Sequence, residues 1–418
     1  MAKEKVDLLI KNAHELATPS SVGDRYDPKG LVIISDGAIS VDEGRIVAVG
    51  KTSAIEQHFK SETVIDASGR LVTPGFVDAH THVIFAGTRE EEFESRLQGL
   101  SYMDILAKGG GILKTVRETR KASKEQLIET ARKTLDIMLK YGTTTVEVKS
   151  GYGLTTEDEV KCLEAAQELD REHPIDIVTT FLGAHAVPPE YEGETDGYVS
   201  LITEEMIPKI AKGRLAEFCD VFCENGVFNI EQSRRILKTG KEFSLKPKIH
   251  ADELSSLGGA ELAASIRATS ADHLLFASNR GLKAMIKENV VPVLLPLASF
   301  SLMTGKYADA RGIIRMGGRT ALGTDFNPSC WSESMQMAIA FACRKLRLTQ
   351  TEAIVAATIG AACAVGRSRD VGSLEKGKRA DIVIFNIPNH MFLGYKFGVN
   401  LVYKVLKNGE VVVDCQEE

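Results

Sequence analysis

The stretch that decides the fold is Phe76-Val77-Asp78-Ala79-His80-Thr81-His82, a short β-type run that ends in a His-x-His pair. Side chains alternate along a strand, so His80 and His82 point to the same face. Neutral imidazole is a common ligand for zinc and iron, so two imidazoles on one face are a natural metal pair. Taken alone, the motif also fits exposed histidines or histidines hydrogen-bonded within a core.

The middle of the chain, residues 74–370, alternates β-type runs with amphipathic helical stretches. This alternation predicts an α/β fold with a parallel sheet, and eight units over roughly 300 residues favour a (β/α)8 barrel of the TIM type. The predicted strands are Phe76–Ala79, Thr143–Lys149, Asp176–Leu182, Asp220–Cys223, Lys246–His250, Ser270–Leu275, Val290–Leu295 and Thr320–Thr324. The predicted helices include Lys124–Tyr141, Glu157–Glu172, Glu231–Glu242, Gly259–Ala268 and Thr351–Ala364.

Both ends of the chain, residues 1–73 and 371–418, are rich in short β-type runs. Asp36-Gly37, Glu43-Gly44 and Asn408-Gly409 interrupt these runs and suit tight hairpins. Each end is too small to bury a core alone. We therefore expect the two ends to join into one small β-sandwich domain beside the barrel.

The composition excludes several classes of protein. The 418 residues include 51 Lys and Arg against 57 Asp and Glu, a formal net charge of −6, whereas nucleic-acid binding needs clustered positive charge. The sequence has no run of about 18 apolar residues and no secretory signal, so we expect no membrane partner. Seven scattered cysteines, Cys219 and Cys223 among them, predict buried thiols in a reducing cytoplasm rather than disulfides or a zinc site.

Chemistry-bearing residues concentrate where predicted barrel strands end, which is where the active site of such a barrel lies. His250 ends strand five, His273 lies on strand six and Asp325 follows strand eight. Singly, His273 fits a core histidine and Asp325 a helix cap. Jointly with His80 and His82 they predict a metal centre, because three imidazoles and a carboxylate can hold an ion and leave a position for water.

The same strand ends offer groups for acid–base work. A metal lowers the pKa of a bound water, and a carboxylate then has to carry the proton to the leaving group. Glu253, three residues beyond His250, is the best candidate for that carboxylate, although beside Asp252 it also fits an exposed acid. His273 is placed to help stabilise a developing oxyanion.

This constellation resembles the amidohydrolase superfamily over nearly the whole chain. Some members hold two metals bridged by a carbamylated lysine on strand four, but residues 220–224 contain no lysine, and Lys149 ends strand two. The resemblance therefore implies the one-metal subgroup, with one Zn²⁺ or Fe³⁺ per subunit. The ligand set is compatible with both ions. A homodimer is a further implication of the resemblance.

Local motifs narrow the resemblance to amidohydrolases that open the cyclic amide of 4-imidazolone-5-propanoate to N-formimidoyl-L-glutamate in histidine degradation. The motifs are Gly109-Gly110-Gly111-Ile112, Val148-Lys149-Ser150-Gly151-Tyr152-Gly153-Leu154, Leu182-Gly183-Ala184-His185-Ala186-Val187-Pro188, His250-Ala251-Asp252-Glu253 and Thr324-Asp325-Phe326-Asn327-Pro328. They are specific jointly rather than singly.

Carried over by position, the resemblance implies roles for individual residues. The implied metal ligands are His80, His82, His250 and Asp325, and the implied catalytic groups are Glu253, His273 and Asp325. The implied substrate contacts are Arg89, Tyr152, His185, Glu253, Asn327, Ser329 and Cys330. Many members read Asn-Pro-Gly-Ser where this chain reads Asn327-Pro328-Ser329-Cys330, so Ser329 and Cys330 depart from the pattern.

Two other functions fit the same sequence. A cytosine or guanine deaminase of this fold shares the four ligand positions and the His-x-x-Glu motif. Arg89 favours an anionic substrate over a neutral base. It also directly precedes the acidic run Glu90–Glu92, which we interpret as a solvated face, so it also fits an ion pair at the surface. A non-catalytic scaffold is the second alternative, but such relatives often lose metal ligands and this chain keeps all four.

Overall fold

The computed structural model describes residues 3–22, 25–100, 110–303 and 305–415, so Gly109 of the first glycine motif lies outside the described residues. The strands, in chain order, are β1 (Glu4–Lys5), β2 (Leu8–Val22), β3 (Arg25–Asp42), β4 (Arg45–Lys51), β5 (Phe59–Lys60), β6 (Thr63–Asp66), β7 (Leu71–Pro74), β8 (Phe76–Thr81), β9 (Thr143–Lys149), β10 (Asp176–Ala184), β11 (Phe218–Cys223), β12 (Lys246–Ala251), β13 (Ser270–His273), β14 (Val291–Leu294), β15 (Ala321–Leu322), β16 (Ile382–Phe385), β17 (Val402–Lys407) and β18 (Glu410–Asp414).

The helices lie between the barrel strands and after them, with one more in each terminal region. Their bounds are Thr52–His58, Glu90–Leu97, Ile112–Lys121, Lys124–Lys140, Thr156–Glu172, Thr195–Leu201, Ile207–Gly213, Ile230–Glu242, Gly259–Ile266, Asn279–Lys287, Pro296–Ser301, Ala310–Arg315, Met335–Lys345, Gln350–Val355, Ala361–Ala364 and Met391–Tyr395. Wider π-type turns at Ile202–Met206 and Ala356–Gly360 join neighbouring helices, and a 3₁₀ turn spans Pro189–Tyr191.

Eight parallel strands, β8 to β15, lie side by side in chain order and confirm the predicted barrel. The barrel closes at a seam between its first and last strands. Asp325 N donates to His80 O at 3.0 Å, and His82 N donates to Phe326 O at 2.8 Å. Gly323 permits this approach, because a Cβ there would lie 3.0 Å from the backbone nitrogen of His80.

A buried carboxylate fastens the seam. Asp78 on β8 accepts hydrogen bonds from Thr324 N at 2.9 Å and from Thr324 Oγ1 at 2.6 Å, and its side chain is fully buried. Burial raises the pKa of this carboxyl to about 7. The two residues are 246 positions apart in sequence, so the contact exists only in the closed barrel.

The outer helices bury one apolar face against the strands. Helix Lys124–Lys140 begins at a capping box formed by Ser123 and Gln126 and buries Ala131 and Leu135. The predicted helix 351–364 is correct in extent, but the π-type turn interrupts it. Gly360 in that turn packs so closely that a Cβ would lie 2.3 Å from Thr320 O.

The two ends of the chain share one sheet, in the order β18-β17-β16-β7-β2-β3-β4, with β6 paired to β2. This arrangement confirms an additional sheet built from both termini, with buried core residues such as Leu16, Ile39 and Leu406. The hairpins at Glu43-Gly44 and Asn408-Gly409 are present as turns between paired strands. The limits at residues 73 and 371 remain predictions.

The hairpin predicted at Asp36-Gly37 is wrong. Both residues lie inside the long strand β3, which pairs with β2 over most of its length. Asp36 has a left-handed backbone (φ 53°), and the β2–β3 register shifts between Ile10 and Ala13. Lys11 and Asn12 of β2 lie opposite the single residue Ala38 at this shift, so the bulge is on β2, and Gly37 stays paired with Ala13 beside it.

Ion pairs join the terminal sheet to the start of a barrel strand. Asp176, the first residue of β10, accepts from Arg379 Nη1 at 3.0 Å and from Lys407 Nζ at 2.6 Å. Lys407 also donates to Asp381. Burial alone would raise the pKa of Asp176, but Lys407 and Arg379 outweigh it and lower that pKa.

The described residues contain no disulfide, and Cys219 and Cys223 are buried free thiols. None of the described helices is long and apolar enough to cross a membrane.

Candidate metal centre and active site

The carboxyl ends of the barrel strands bring the predicted histidines together. His80 and His82 come from the end of β8 and the residue after it, His250 from β12 and His273 from β13. The ring centres of His80 and His250 are 4.6 Å apart, and those of His80 and His82 are 5.3 Å apart. The His250 and His273 rings are 5.2 Å apart. One buried cluster therefore contains all four.

The cluster fits a metal ion. Nitrogen atoms of His80, His82 and His250 all lie within 4.8 Å of one another, and Asp325 Oδ1 lies 3.5 Å from His80 Nε2 and 3.6 Å from His82 Nε2. The Nε2 atoms of His80 and His250 are buried without a hydrogen-bond partner among the described residues. An ion satisfies such nitrogens, because neutral imidazole offers a lone pair.

His273 belongs to a second possible ligand group. Its imidazole, that of His80 and the Asp325 carboxylate also offer atoms within 4.8 Å of one another. Both His273 and Asp325 have left-handed backbones, with φ values of 74° and 52°. Side chains with a β-carbon rarely adopt that conformation, and it is concentrated at functional sites.

Two carboxylates orient two of the histidines. Asp272 Oδ2 is hydrogen-bonded to His80 Nδ1 at 2.6 Å. Asp220 Oδ2 lies 3.1 Å from His250 Nδ1, within ion-pair distance but without hydrogen-bond geometry. A carboxylate hydrogen-bonded to Nδ1, as at His80, fixes the proton on that nitrogen and leaves Nε2 available to a ligand.

Burial sets the charge states of the cluster. It lowers the pKa of His80, His82 and His273 well below the usual value, so these rings are neutral and able to coordinate. Burial also lowers the pKa of His250, but the neighbouring Asp220 outweighs it and raises that pKa. Burial raises the pKa of Asp325 to about 7, which reflects a carboxyl group held away from water.

Glu253 reaches the same cluster from the loop after β12. Its Oε1 lies 3.5 Å from His273 Nδ1. Only 12% of the Glu253 side chain is exposed, so the alternative interpretation of Glu253 as an exposed acid beside Asp252 is wrong. Burial, followed by the nearby Asp325, raises the pKa of Glu253 to about 8. The buried Glu224 holds this loop by accepting from Leu254 N at 2.8 Å.

Arg89 lies in the cavity wall rather than at the surface. Its Nε donates to Glu92 Oε2 at 2.8 Å, and Glu92 Oε1 accepts from Gly111 N at 2.9 Å. Glu92 is therefore buried, which corrects the interpretation of Glu90–Glu92 as an entirely solvated face. Glu90 and Glu91 are exposed as expected, because only every third or fourth residue of a helix faces inward.

Tyr152 and His185 form the wall beside the histidines. The His185 ring stacks on that of His82, with centres 5.0 Å apart and planes 16° apart. His185 Nδ1 donates to Gly151 O at 3.0 Å, and burial lowers the pKa of His185 to about 3. The loop of Tyr152 is held by the buried Glu159, which accepts from the backbone nitrogens of residues 151, 153 and 154.

Asn327, Ser329 and Cys330 form a tight turn after the last strand. Asn327 Oδ1 accepts from Ser329 N at 2.7 Å and from Cys330 N at 3.2 Å, while its Nδ2 donates to Asp325 Oδ1 at 3.1 Å. Burial raises the pKa of the Cys330 thiol, so it is not a nucleophile. The asparagine thus ties the turn to a predicted metal ligand.

A cavity of about 360 Å³ unites these residues. Its predicted lining residues are His82, Arg89, Tyr152, His185, His250, Glu253, His273, Asp325, Asn327, Ser329 and Cys330, while His80 lies beneath them. Sequence reasoning missed Phe222 and Arg96. Phe222 lies near the end of β11, where a search of strand ends would find it, and Arg96 follows Arg89 by seven residues, about two helical turns.

Fold and site together define a barrel hydrolase with a histidine–aspartate centre suited to a metal ion. The Amidohydrolase family model matches residues 231–412, and a second amidohydrolase model matches residues 63–101. Imidazolonepropionase of Alkaliphilus metalliredigens is 49% identical over 416 residues, covering 98% of both chains. That of Geobacillus sp. (strain WCH70) is 50% identical over 97% of this chain and 98% of its own. The chain therefore belongs to the imidazolonepropionases of the amidohydrolase family.

Solved structures of other enzymes share the fold. An adenosine deaminase from Xanthomonas campestris with bound zinc superposes with a TM-score of 0.74 at 19% identity, covering all of this chain and 95% of that one. Guanine deaminase of E. coli gives a TM-score of 0.71 at 15% identity over 97% and 98% of the two chains. At these identities the likeness concerns the fold alone.

Proposed function

We propose that the protein hydrolyses the cyclic amide of 4-imidazolone-5-propanoate to N-formimidoyl-L-glutamate, a step of histidine degradation. The observation that carries the proposal is a buried arginine, Arg89, in the same cavity as the His80–His82–His250–Asp325 cluster. The cavity thus offers a cationic anchor for a carboxylate and a hydrolytic centre for an amide. Relatives at 49% and 50% identity carry the name of this activity.

Arg89 binds the propanoate carboxylate in this proposal. Glu92 occupies its Nε, and no other residue that the structure describes bonds to its two terminal nitrogens, which form a fork that matches a carboxylate. Tyr152 and His185 line the adjoining wall and supply hydrogen bonds to the carboxylate or the ring. Asn327, Ser329 and Cys330 supply contacts to the opened product from the opposite side of the seam.

His80, His82, His250 and Asp325 hold the metal ion. When bound, such an ion lowers the pKa of water and polarises a carbonyl group. We propose Zn²⁺ or Fe³⁺, one in each subunit, and elemental analysis of the purified protein distinguishes them. The two orienting carboxylates and the unpartnered imidazole nitrogens support this assignment.

Glu253 moves the proton. It accepts a proton from the attacking water and delivers it to the ring nitrogen as the carbon–nitrogen bond of the amide breaks. The carbonyl carbon thereby becomes the new carboxylate, and the nitrogen leaves with its proton. His273, 3.5 Å from Glu253, donates a hydrogen bond to the oxyanion that develops at the carbonyl.

Two further properties belong to this proposal: a homodimer and a cytoplasmic location. Exposed apolar side chains near the chain's end, such as Tyr395 and Phe397, provide a surface that a second copy can cover. The scattered free thiols fit a reducing compartment. Light scattering of the purified protein measures the mass, and fractionation of cells measures the location.

The decisive experiment follows the absorbance of freshly made 4-imidazolone-5-propanoate with the purified protein, with and without a chelator. We expect rapid loss of the ring absorbance, abolished by the chelator and restored by metal. Ammonia is measured in parallel, because deamination releases it and amide hydrolysis does not. Unchanged absorbance with fully loaded protein would contradict the proposal.

The two other functions are less well supported. The deaminases share only the fold with this chain, and Arg89 gives the cavity a cationic group that a neutral base does not need. A scaffold has no use for three imidazoles and a carboxylate gathered around buried nitrogens that lack partners among the described residues.

A further inference from the structure

Among the described residues, a group of five charged side chains that contact one another is completely buried inside the barrel, next to the histidine cluster. They are Glu147, Lys149, Asp220, Lys248 and Asp272, each with 0% exposure. Buried charges are costly unless they are paired, so such a group requires a specific role. The sequence singled out Lys149 only because it ends a strand where no bridging lysine was expected.

Lys149 lies between three carboxylates. Its Nζ is 2.7 Å from Glu147 Oε1, 2.8 Å from Asp220 Oδ2 and 3.6 Å from Asp272 Oδ2. The three partners come from its own strand and from β11 and β13. One ammonium group thus connects three strands inside the barrel.

The contacted oxygens are the same atoms that orient the metal histidines. Asp220 Oδ2 lies 3.1 Å from His250 Nδ1, and Asp272 Oδ2 lies 2.6 Å from His80 Nδ1. Each of these two oxygens therefore lies between the lysine ammonium and an imidazole.

The second oxygen of each carboxylate is also occupied. Ser270 Oγ donates to Asp272 Oδ1 at 2.7 Å, and Val221 N donates to Asp220 Oδ1 at 2.7 Å. Fixed on both oxygens, the carboxylates cannot rotate away from the histidines without breaking a buried hydrogen bond.

The formal charges of the group support a connection between Lys149 and the binding of the metal ion. The two lysines carry two positive charges against three negative charges on Glu147, Asp220 and Asp272, all within the buried layer. Within this group one negative charge is left over. Removing either lysine doubles that excess, but only the removal of Lys149 also frees Asp220 and Asp272 to reorient.

We propose that Lys149 is a positioning residue of the metal centre, which acts through Asp220 and Asp272 to fix His250 and His80 in the orientation that binds the ion. It touches neither ion nor substrate. The inference rests on the proposed metal centre, and its test separates the two.

The test compares the full-length chain with Lys149→Met, which removes the charge at similar volume, and with Lys248→Met as the matched control. Lys248 is equally buried and removes the same charge from the group, but among the described residues it pairs with Glu147 at 3.5 Å and makes no ion-pair contact with Asp220 or Asp272, so it separates the loss of charge from the loss of these contacts. Zinc affinity is measured by competition with a chromophoric chelator, and the visible absorption of the Co²⁺-loaded protein reports the ligand geometry.

We expect Lys149→Met to bind zinc about 10- to 100-fold more weakly and to show an altered cobalt spectrum, whereas Lys248→Met keeps both properties. Lys149→Gln, which keeps hydrogen-bond donors without the charge, is measured in the same way and serves where the methionine variant does not fold. Unchanged zinc affinity in a folded Lys149 variant, or equal losses in both lysine variants, overturns the inference. A wild-type chain that binds neither metal overturns the metal centre itself.

Discussion

Arg89 and Glu92 form a buried ion pair in the cavity wall, with Arg89 Nε donating to Glu92 Oε2 at 2.8 Å. The glutamate is fixed in turn by Gly111 N, so the guanidinium is presented to the cavity in one orientation. In the proposed function, this pair holds Arg89 at the start of the helix Glu90–Leu97 as the group that binds the substrate carboxylate.

Replacing this anchor should weaken substrate binding. A charged hydrogen-bonded contact contributes about 1.5–3 kcal/mol, so Arg89→Met should raise KM by about 10- to 100-fold with a smaller change in kcat. Glu92→Gln should act in the same direction but less strongly. Steady-state kinetics measure both, and Glu91→Gln, an exposed neighbour, serves as the control. An unchanged KM in Arg89→Met would refute the anchor.

Glu253→Gln should lose about 10²- to 10⁴-fold in kcat, because the amide cannot accept the proton that the carboxylate transfers. Metal content and melting temperature should stay at wild-type values, since Glu253 is not one of the proposed ligands. Near-normal turnover with full metal occupancy would show that another group carries the proton.

Glu159→Ala should destabilise the protein by about 3 kcal/mol, because it leaves the buried nitrogens of Gly151, Gly153 and Leu154 without their acceptor. Tyr152 lies on the same loop, so KM should rise as well. Denaturant unfolding and kinetics test the two effects together. Glu157→Ala, an exposed residue of the same helix, should leave both properties unchanged.

Stability should depend on pH through Asp176. Its pKa lies below the unfolded value, so the ion pairs with Arg379 and Lys407 stabilise the fold fully above about pH 4 and are lost as the pH falls through the lowered pKa. Asp176→Asn should lower the free energy of unfolding at pH 7 by about 1–3 kcal/mol, and the difference from wild type should shrink at lower pH. Parallel pH profiles of the two proteins would exclude this role.

Local patterns were sufficient to predict the eight barrel strands. Runs such as Thr143–Lys149 are rich in β-branched residues and bounded by turn residues, so their type is encoded within a few positions. The hairpin wrongly predicted at Asp36-Gly37 shows what local patterns cannot decide. The dipeptide suits a hairpin, but here it lies within a long strand next to a bulge of the partner strand, and only the pairing of β3 with β2 along its length shows this.

The clustering of the histidines and Asp325 could be predicted, because each lies at a strand end and the strand ends of such a barrel meet where its active site lies. The contacts of Lys149 could not be predicted from the sequence. Its partner Asp220 is 71 residues away, and a lysine as the last residue of a strand gives no local sign that it will be buried among carboxylates. Glu92 was misjudged for a similar reason, since its neighbours in sequence are solvated and its partners lie across the cavity wall.

The seam between Asp78 and Thr324 bears on how the protein is made. The proposed ligands lie on both sides of it, His80 and His82 from the first barrel strand and Asp325 after the last. In a nascent chain the proposed ligand set is therefore incomplete until Asp325 has been synthesised, 325 − 82 = 243 residues after His82. With that ligand set, metal loading would be a late event of biogenesis, and a chain that stalls before its last barrel strand would not be rescued by the ion.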